Sequence, residues 1–132
     1  MIVVLDTNVI VSALLSPHGS AARVLDIVLA GRVTVVFDDR IMDEYWQVLR
    51  RRRFGFAEED VKALLDFIRS EGRAVSAPPL KVALPDLDDL MFVEVAVAAG
   101  ADAIVTGNRR HFPAGCYDGI RVVSPVDLLS LL

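Results

Sequence analysis

The stretch IVVLDTNVIVSALL, residues 2–15, decides the fold. Ile2–Leu5 is an unbroken run of branched apolar residues, which reads as a strand buried on both faces. Asp6 and Asn8 interrupt the run, and Val9–Leu15 continues it as a helix. A strand without a polar face needs helices above and below its sheet. The stretch lacks a basic leading segment and carries Asp6 and Asn8, so it does not read as a signal peptide. No run in the chain approaches the roughly 18 apolar residues of a membrane span.

The alternation repeats outward from there. Ser16–Gly19 is a break, and Ser20 is placed to cap a helix over Ala21–Ala30 closed by Gly31. Val33–Phe37 is a second buried strand, and Asp38 or Asp39 caps a helix reaching about Arg51. RRFGF at 52–56 is a turn. Glu58–Ser70 carries Val61, Leu64, Leu65 and Ile68 on one side, as an amphipathic helix does. Ala74–Val75 suits a short strand, and APPLKVALP at 77–85 is extended and irregular. Asp86–Asp89 opens a helix to Ala99, which Gly100 stops. Ala103–Thr106 is a third buried strand, Pro113–Gly119 a loop, and Arg121–Val123 a short edge strand. Ser124, Pro125 and Asp127 begin a last helix. The expectation is one α/β domain over residues 1–132, with three layers, α/β/α, and a central, mainly parallel sheet of about four to five strands.

Composition agrees with a single well-filled core. Apolar residues make up 54% of the 132, with a mean hydropathy of +0.47. That excess suggests an apolar face kept for a partner, a homodimer being the simplest case. The net charge is −4 and the pI about 5.0, which argues against a general nucleic-acid coat protein but not against an enzyme whose acidic cleft takes up cations. Cys116 is the only cysteine, so no intrachain disulfide forms, and a reducing, cytoplasmic setting fits.

Acidic and amide side chains fall at four places far apart along the chain. Asp6 and Asn8 follow the first strand, where sites of open α/β sheets form; either also suits a helix cap. Glu44 shares the inner stripe of its helix with Ile41, Tyr45 and Val48. A carboxylate facing a core needs a cation or donors, and Arg40 at the stripe's edge is the plain alternative. Asp86, Asp88 and Asp89 crowd one helix start; capping accounts for one or two of them, and mutual repulsion calls for a cation among three. Asp89 shares the helix face of Phe92 and Ala96 and is the better ligand, leaving Asp86 and Asp88 as caps or support. Thr106 and Asn108, around the turn after the third strand, can hold a water or a phosphate oxygen, or form an ordinary turn with Gly107.

The two lysines, Lys62 and Lys81, lie beside none of these places, so a divalent cation is the simplest partner. Hard oxygen donors select Mg²⁺ or Mn²⁺, and a metal-dependent phosphodiesterase follows. One cysteine with His18 and His111 serves zinc poorly; His18 reads as exposed and His111 as packing on the loop after the third strand. Arg50, Arg51, Arg52 and Arg53 form a run that is either a solvated helix end or a phosphate-contacting patch, to which Arg109 and Arg110 add. Tyr45 and Trp46 beside the run read as packing residues.

These residues together resemble the PIN-domain family, especially the VapC-type toxin ribonucleases of bacterial and archaeal toxin–antitoxin pairs. VLDTNVIVSALLSPHGSAARVL is similar to that family's first motif, DEYWQVLRRRRFGF to its second, and LPDLDDLMFVEVAVAAGADAIVTGNRRHF to its third and fourth. The resemblance covers nearly the whole chain and implies a PIN-like fold. It implies Asp6, Glu44 and Asp89 as ligands of one or two Mg²⁺ or Mn²⁺ ions, with Thr7, Asn8, Asp86, Asp88 and Thr106 in support. It places Asn108 where many members carry an acidic residue; its amide oxygen is a ligand of lower charge. The activity implied is hydrolysis of RNA, with a small antitoxin and a second copy of the chain as partners and no membrane. An RNA-binding or regulatory module without turnover is the alternative, with Asn108 as its main support. A phosphatase using Asp6 as nucleophile is a further one, but it wants an Asp at position 8 and a nearby lysine.

Overall fold

The computed structural model describes all 132 residues. β1 (Ile2–Leu5) leads into α1 (Thr7–Leu15) and α2 (Ser20–Leu29), then β2 (Thr34–Phe37), α3 (Asp39–Leu49) and α4 (Glu58–Glu71). β3 (Arg73–Ala74), α5 (Leu90–Ala99) and β4 (Ala103–Val105) follow, and β5 (Cys116–Tyr117), β6 (Ile120–Val123) and α6 (Pro125–Ser130) complete the chain. The strands form one sheet in the order β3-β2-β1-β4-β6-β5, parallel except for β5. The three-layer α/β/α architecture is that expected from the alternation of elements.

The strands near the centre are apolar on both faces. Val3, Val4, Leu5, Val35, Val36, Phe37, Ala103, Ile104 and Val105 are all buried. α2 packs on both α1 and α6, α3 packs on α4 and α5, and α5 lies on β1, β2 and β4. Gly72 lets α4 return close to β2: a Cβ there would lie 2.5 Å from the carbonyl oxygens of Ile68 and Val35, so no other residue fits. No helix is long and apolar enough to cross a membrane.

The sheet has six strands where four to five were expected. The added one is β5, inside the segment expected to be loop. Tyr117-Asp118-Gly119-Ile120 is a two-residue hairpin, with Asp118 at φ 51° and Gly119 at φ 81°. Positive φ at both central positions is the geometry that Asp-Gly favours. β6 is therefore an inner strand between β4 and β5, not an edge. Two caps also differ. Gly19, not Ser20, precedes α2, and α5 begins at Leu90 because Leu87–Asp89 forms a single 3₁₀ turn first. Asp38 and Ser124 do cap their helices, accepting from the backbone N–H of Ile41 and Asp127 at 3.0 and 3.1 Å.

β1 sends its connection to β2 on one side, while β4 joins it on the other after a long crossover. The carboxyl ends of β1 and β4 are thus a topological switch point, where α/β sheets open a crevice.

Candidate metal centre

Asp6 stands at that switch point. It is 4% exposed, its backbone N–H bonds to the Val105 carbonyl at 2.9 Å, and its side chain caps nothing in α1. Instead Oδ2 accepts from the Thr106 hydroxyl at 2.8 Å. Thr106 is fully buried and is itself fixed by the Asn108 backbone N–H, which donates to Oγ1 at 3.1 Å. The Asn8 amide oxygen accepts from Gly107 N–H at 3.0 Å and so joins the two strand-end turns.

Asp89 and His111 close around Asp6. His111 Nδ1 lies 3.3 Å from Asp6 Oδ2 and 3.8 Å from Asp89 Oδ2, and one atom from each of the three side chains falls within 4.8 Å of the others. Burial raises the Asp89 carboxyl to about 6; the charge of Asp6 adds to this, and His111 opposes it. Glu44 stands outside that triad but faces the same crevice. The Thr7 hydroxyl donates to its Oε2. Burial also raises the Glu44 carboxyl, against the Thr7 bond, and Asp6 and Asp88 add to the rise. The carboxylates just past β1, on α3 and in the turn before α5 therefore raise one another's proton affinity.

The donor set suits a divalent cation. Three carboxylates converge, two with raised proton affinity, and no lysine or arginine forms a salt bridge with Asp6, Glu44 or Asp89. Arg40, the alternative partner for Glu44, goes elsewhere, to Asp38 at 2.7 Å and Glu94 at 2.8 Å. Asp86 caps the 3₁₀ turn by accepting from Asp88 N–H at 2.9 Å, and Asp88 is exposed beside Arg40, Glu44 and Glu94 at the rim. The Asn108 amide oxygen accepts from Arg110 N–H at 3.1 Å and so is already engaged.

The arginine run divides. Arg50 pairs with Glu58 at 2.8 Å and lies 4.4 Å over the Trp46 ring, and Arg53 lies over Phe54. Arg109 is bonded to Asp127. Arg51 and Arg52 are exposed without a salt bridge, and Arg51 is near enough to favour the charged form of Glu44.

Two residues carry more weight here than their sequence positions suggest. His111, expected to pack on a loop, points into the crevice; its three-residue offset from Asn108 was the available sign. Glu94 is 4% exposed within the apolar run MFVEVAVAA, and the reasoning applied to Glu44, a carboxylate on an inward helix face, identifies it too.

A family model described as PIN domain matches residues 2–110. Among solved structures, the fold is similar to VapBC2 from Rickettsia felis bound to a DNA fragment from its promoter, with a TM-score of 0.60 and 20% identity over 94% of this chain and 98% of that one. It is similar also to PAE2754 from Pyrobaculum aerophilum, with a TM-score of 0.57 and 18% identity over 99% and 97%. No curated protein matches the chain. The match of a family model over most of the length, on a sheet whose switch point gathers carboxylates from three elements, establishes that this chain belongs to the PIN domain family.

Proposed function

We propose that the chain is a Mg²⁺- or Mn²⁺-dependent endoribonuclease and the toxin of a type II toxin–antitoxin pair. The observation that carries this reading is the gathering of Asp6 and Asp89, with Glu44 beside them and no lysine or arginine paired to any of the three, in a member of the PIN domain family. The three would hold one ion, or two about 4 Å apart. A bound ion supplies the charge that stabilises a scissile phosphate and makes a water acidic. Thr7 fixes the Glu44 carboxylate and Thr106 the Asp6 carboxylate, so neither has to reorganise as charge develops. Asn8 holds the two strand-end turns together, while Asp86 shapes the turn that delivers Asp89.

The substrate proposed is single-stranded or looped RNA. The crevice is acidic, so the RNA backbone needs separate cations, and the unpaired Arg51 and Arg52 are the nearest to Glu44 in the chain. Arg50, Arg53 and Arg109 would assist after giving up their present contacts. Further parts of the proposal are a homodimer, a cytoplasmic setting and a small antitoxin covering the crevice. The VapBC2 structure, a fold neighbour by name a two-component assembly, motivates the last of these.

The test is cleavage of a labelled synthetic RNA by purified protein with Mg²⁺ or Mn²⁺. Cleavage that EDTA abolishes and that Asp6→Asn lacks, in a variant that still unfolds cooperatively, is the expected result. Equal cleavage by Asp6→Asn, or none by the wild type with either ion, contradicts the reading.

A further inference from the structure

Asn108 stands in the turn that follows β4, and its neighbours give the amide a defined task. Asn108 Oδ1 accepts from Arg110 N–H at 3.1 Å. That bond turns the amide nitrogen toward His111 Nε2, 3.2 Å away. An amide nitrogen only donates, so Nε2 must offer a lone pair. The neutral imidazole then carries its proton on Nδ1, the nitrogen that faces Asp6 at 3.3 Å and Asp89 at 3.8 Å. His111 thus enters the crevice as an N–H donor.

A ring nitrogen that carries a hydrogen cannot bind a cation. With Nδ1 protonated, the crevice presents oxygen alone, and Asp6 Oδ2 is shared by Thr106 and His111, which leaves Oδ1 for an ion. With Nδ1 bare, the same three side chains would offer two carboxylates and an imidazole, a set that favours Co²⁺, Ni²⁺ or Zn²⁺ over Mg²⁺.

Resting on the ion site proposed above, we propose that Asn108 is a specificity residue: by holding His111 in the Nδ1–H tautomer it keeps the imidazole out of coordination and reserves the crevice for hard divalent cations. An Asp at this position could keep the bond from Arg110 N–H with one oxygen and accept from Nε2–H with the other. Nε2 would then carry a proton, and an ion entering between Asp6 and Asp89 could displace the proton from Nδ1 and meet its lone pair. Asn108 and His111 act here through other groups, as positioning residues.

Two measurements on metal-free and ion-titrated protein test this. Nitrogen NMR of the His111 ring, taken at a pH well above the ordinary histidine range of about 6.5, is expected to report a bare Nε2 with Nδ1–H in the wild type and a protonated Nε2 in Asn108→Asp. Calorimetry with Co²⁺ and Mg²⁺ is expected to show the ratio of affinities, Co²⁺ over Mg²⁺, rising about tenfold or more in Asn108→Asp, in the range of changes made to groups that orient ligands. Adding His111→Gln to that variant should return the ratio to the wild-type value, which separates the imidazole from the added carboxylate. An Nε2–H ring in the wild type, or a ratio that Asn108→Asp leaves unchanged, overturns the proposal. Nδ1–H in the wild type together with no divalent binding at all overturns the ion site itself, and the role of Asn108 with it.

Discussion

The Tyr45 hydroxyl donates to the Leu5 carbonyl oxygen at 2.6 Å, with both residues buried. One bond thereby ties α3 to the end of β1, between the neighbours of Glu44 and Asp6. Burial, with the charges of Asp6, Glu44 and Asp38, holds the phenol well above its ordinary range, so it remains a donor. Tyr45→Phe keeps the ring and strands the carbonyl. The expected cost is about 1–3 kcal/mol in urea unfolding, accompanied by weaker Mn²⁺ binding as Glu44 loses its fixed distance from Asp6. A variant as stable as wild type with unaltered Mn²⁺ affinity would show that this bond does not set the site.

Asp89 makes the metal-free protein sensitive to pH in a predictable direction. Its folded-state value is about 6 against an ordinary 3.8, so between those two the folded chain binds more protons than the unfolded chain. Stability from this group is present below the lower value and is lost as pH rises through the upper one. With EDTA present, Asp89→Asn should therefore be more stable than wild type at about pH 7 by roughly 1–2 kcal/mol after allowance for solvent screening, the difference vanishing near pH 4. A divalent ion must displace the same proton, so Mn²⁺ affinity should fall as the pH drops below about 6. Chemical unfolding and calorimetry at matched pH values check both halves.

Glu94 and Arg40 should respond unequally to truncation. Glu94 is 4% exposed and accepts from Arg40 and from Leu80 N–H, both at 2.8 Å, whereas the Arg40 side chain is 49% exposed and also pairs with Asp38. Removing the acid leaves a cation that water and Asp38 still serve, at the cost of the acceptor for Leu80 N–H; removing the cation leaves a buried charge with the Leu80 N–H as its remaining donor. Arg40→Ala should cost about 3 kcal/mol and Glu94→Ala nearer 2 kcal/mol. The reverse order in denaturant unfolding would contradict the pairing.

For RNA retention, Asp6→Asn serves as an uncleaving background. Arg51→Ala and Arg52→Ala should each lower the slope of log affinity against log salt by about 0.7, the value for one single-strand phosphate contact. Arg50→Ala and Arg109→Ala should change it less, because each must first leave Glu58 or Asp127. Equal slopes for all four variants would refute the division of the arginine run.

Much of this molecule could be read from residue order because apolar runs bounded by acids or glycines have few solutions. Ile2–Leu5 and Ala103–Val105 allow only buried parallel strands, and that alone brings Asp6 and Thr106 together. The β5–β6 hairpin is hard to read from residue order because two-residue strands carry no periodicity; the Asp118–Gly119 pair is the only signal, and it suits a loop equally well. The destination of Arg40 was hidden for another reason: Asp38, Glu44 and Glu94 were all within plausible reach, and only tertiary packing chooses among them. His111 is hard to place from residue order because imidazole suits a packed loop as well as a crevice, and its contacts with Asn108 and Asp6 exist only once the turn after β4 has folded.

The central claim is that Asp6, Glu44 and Asp89 share a divalent cation. Anomalous diffraction from crystals soaked in Mn²⁺ tests it most directly. The account predicts a peak in the crevice with oxygen atoms of Asp6 and Asp89 at about 2.2 Å and Glu44 bound directly or through one water. Mn²⁺ bound elsewhere, with these carboxylates unliganded at saturating ion, would contradict it.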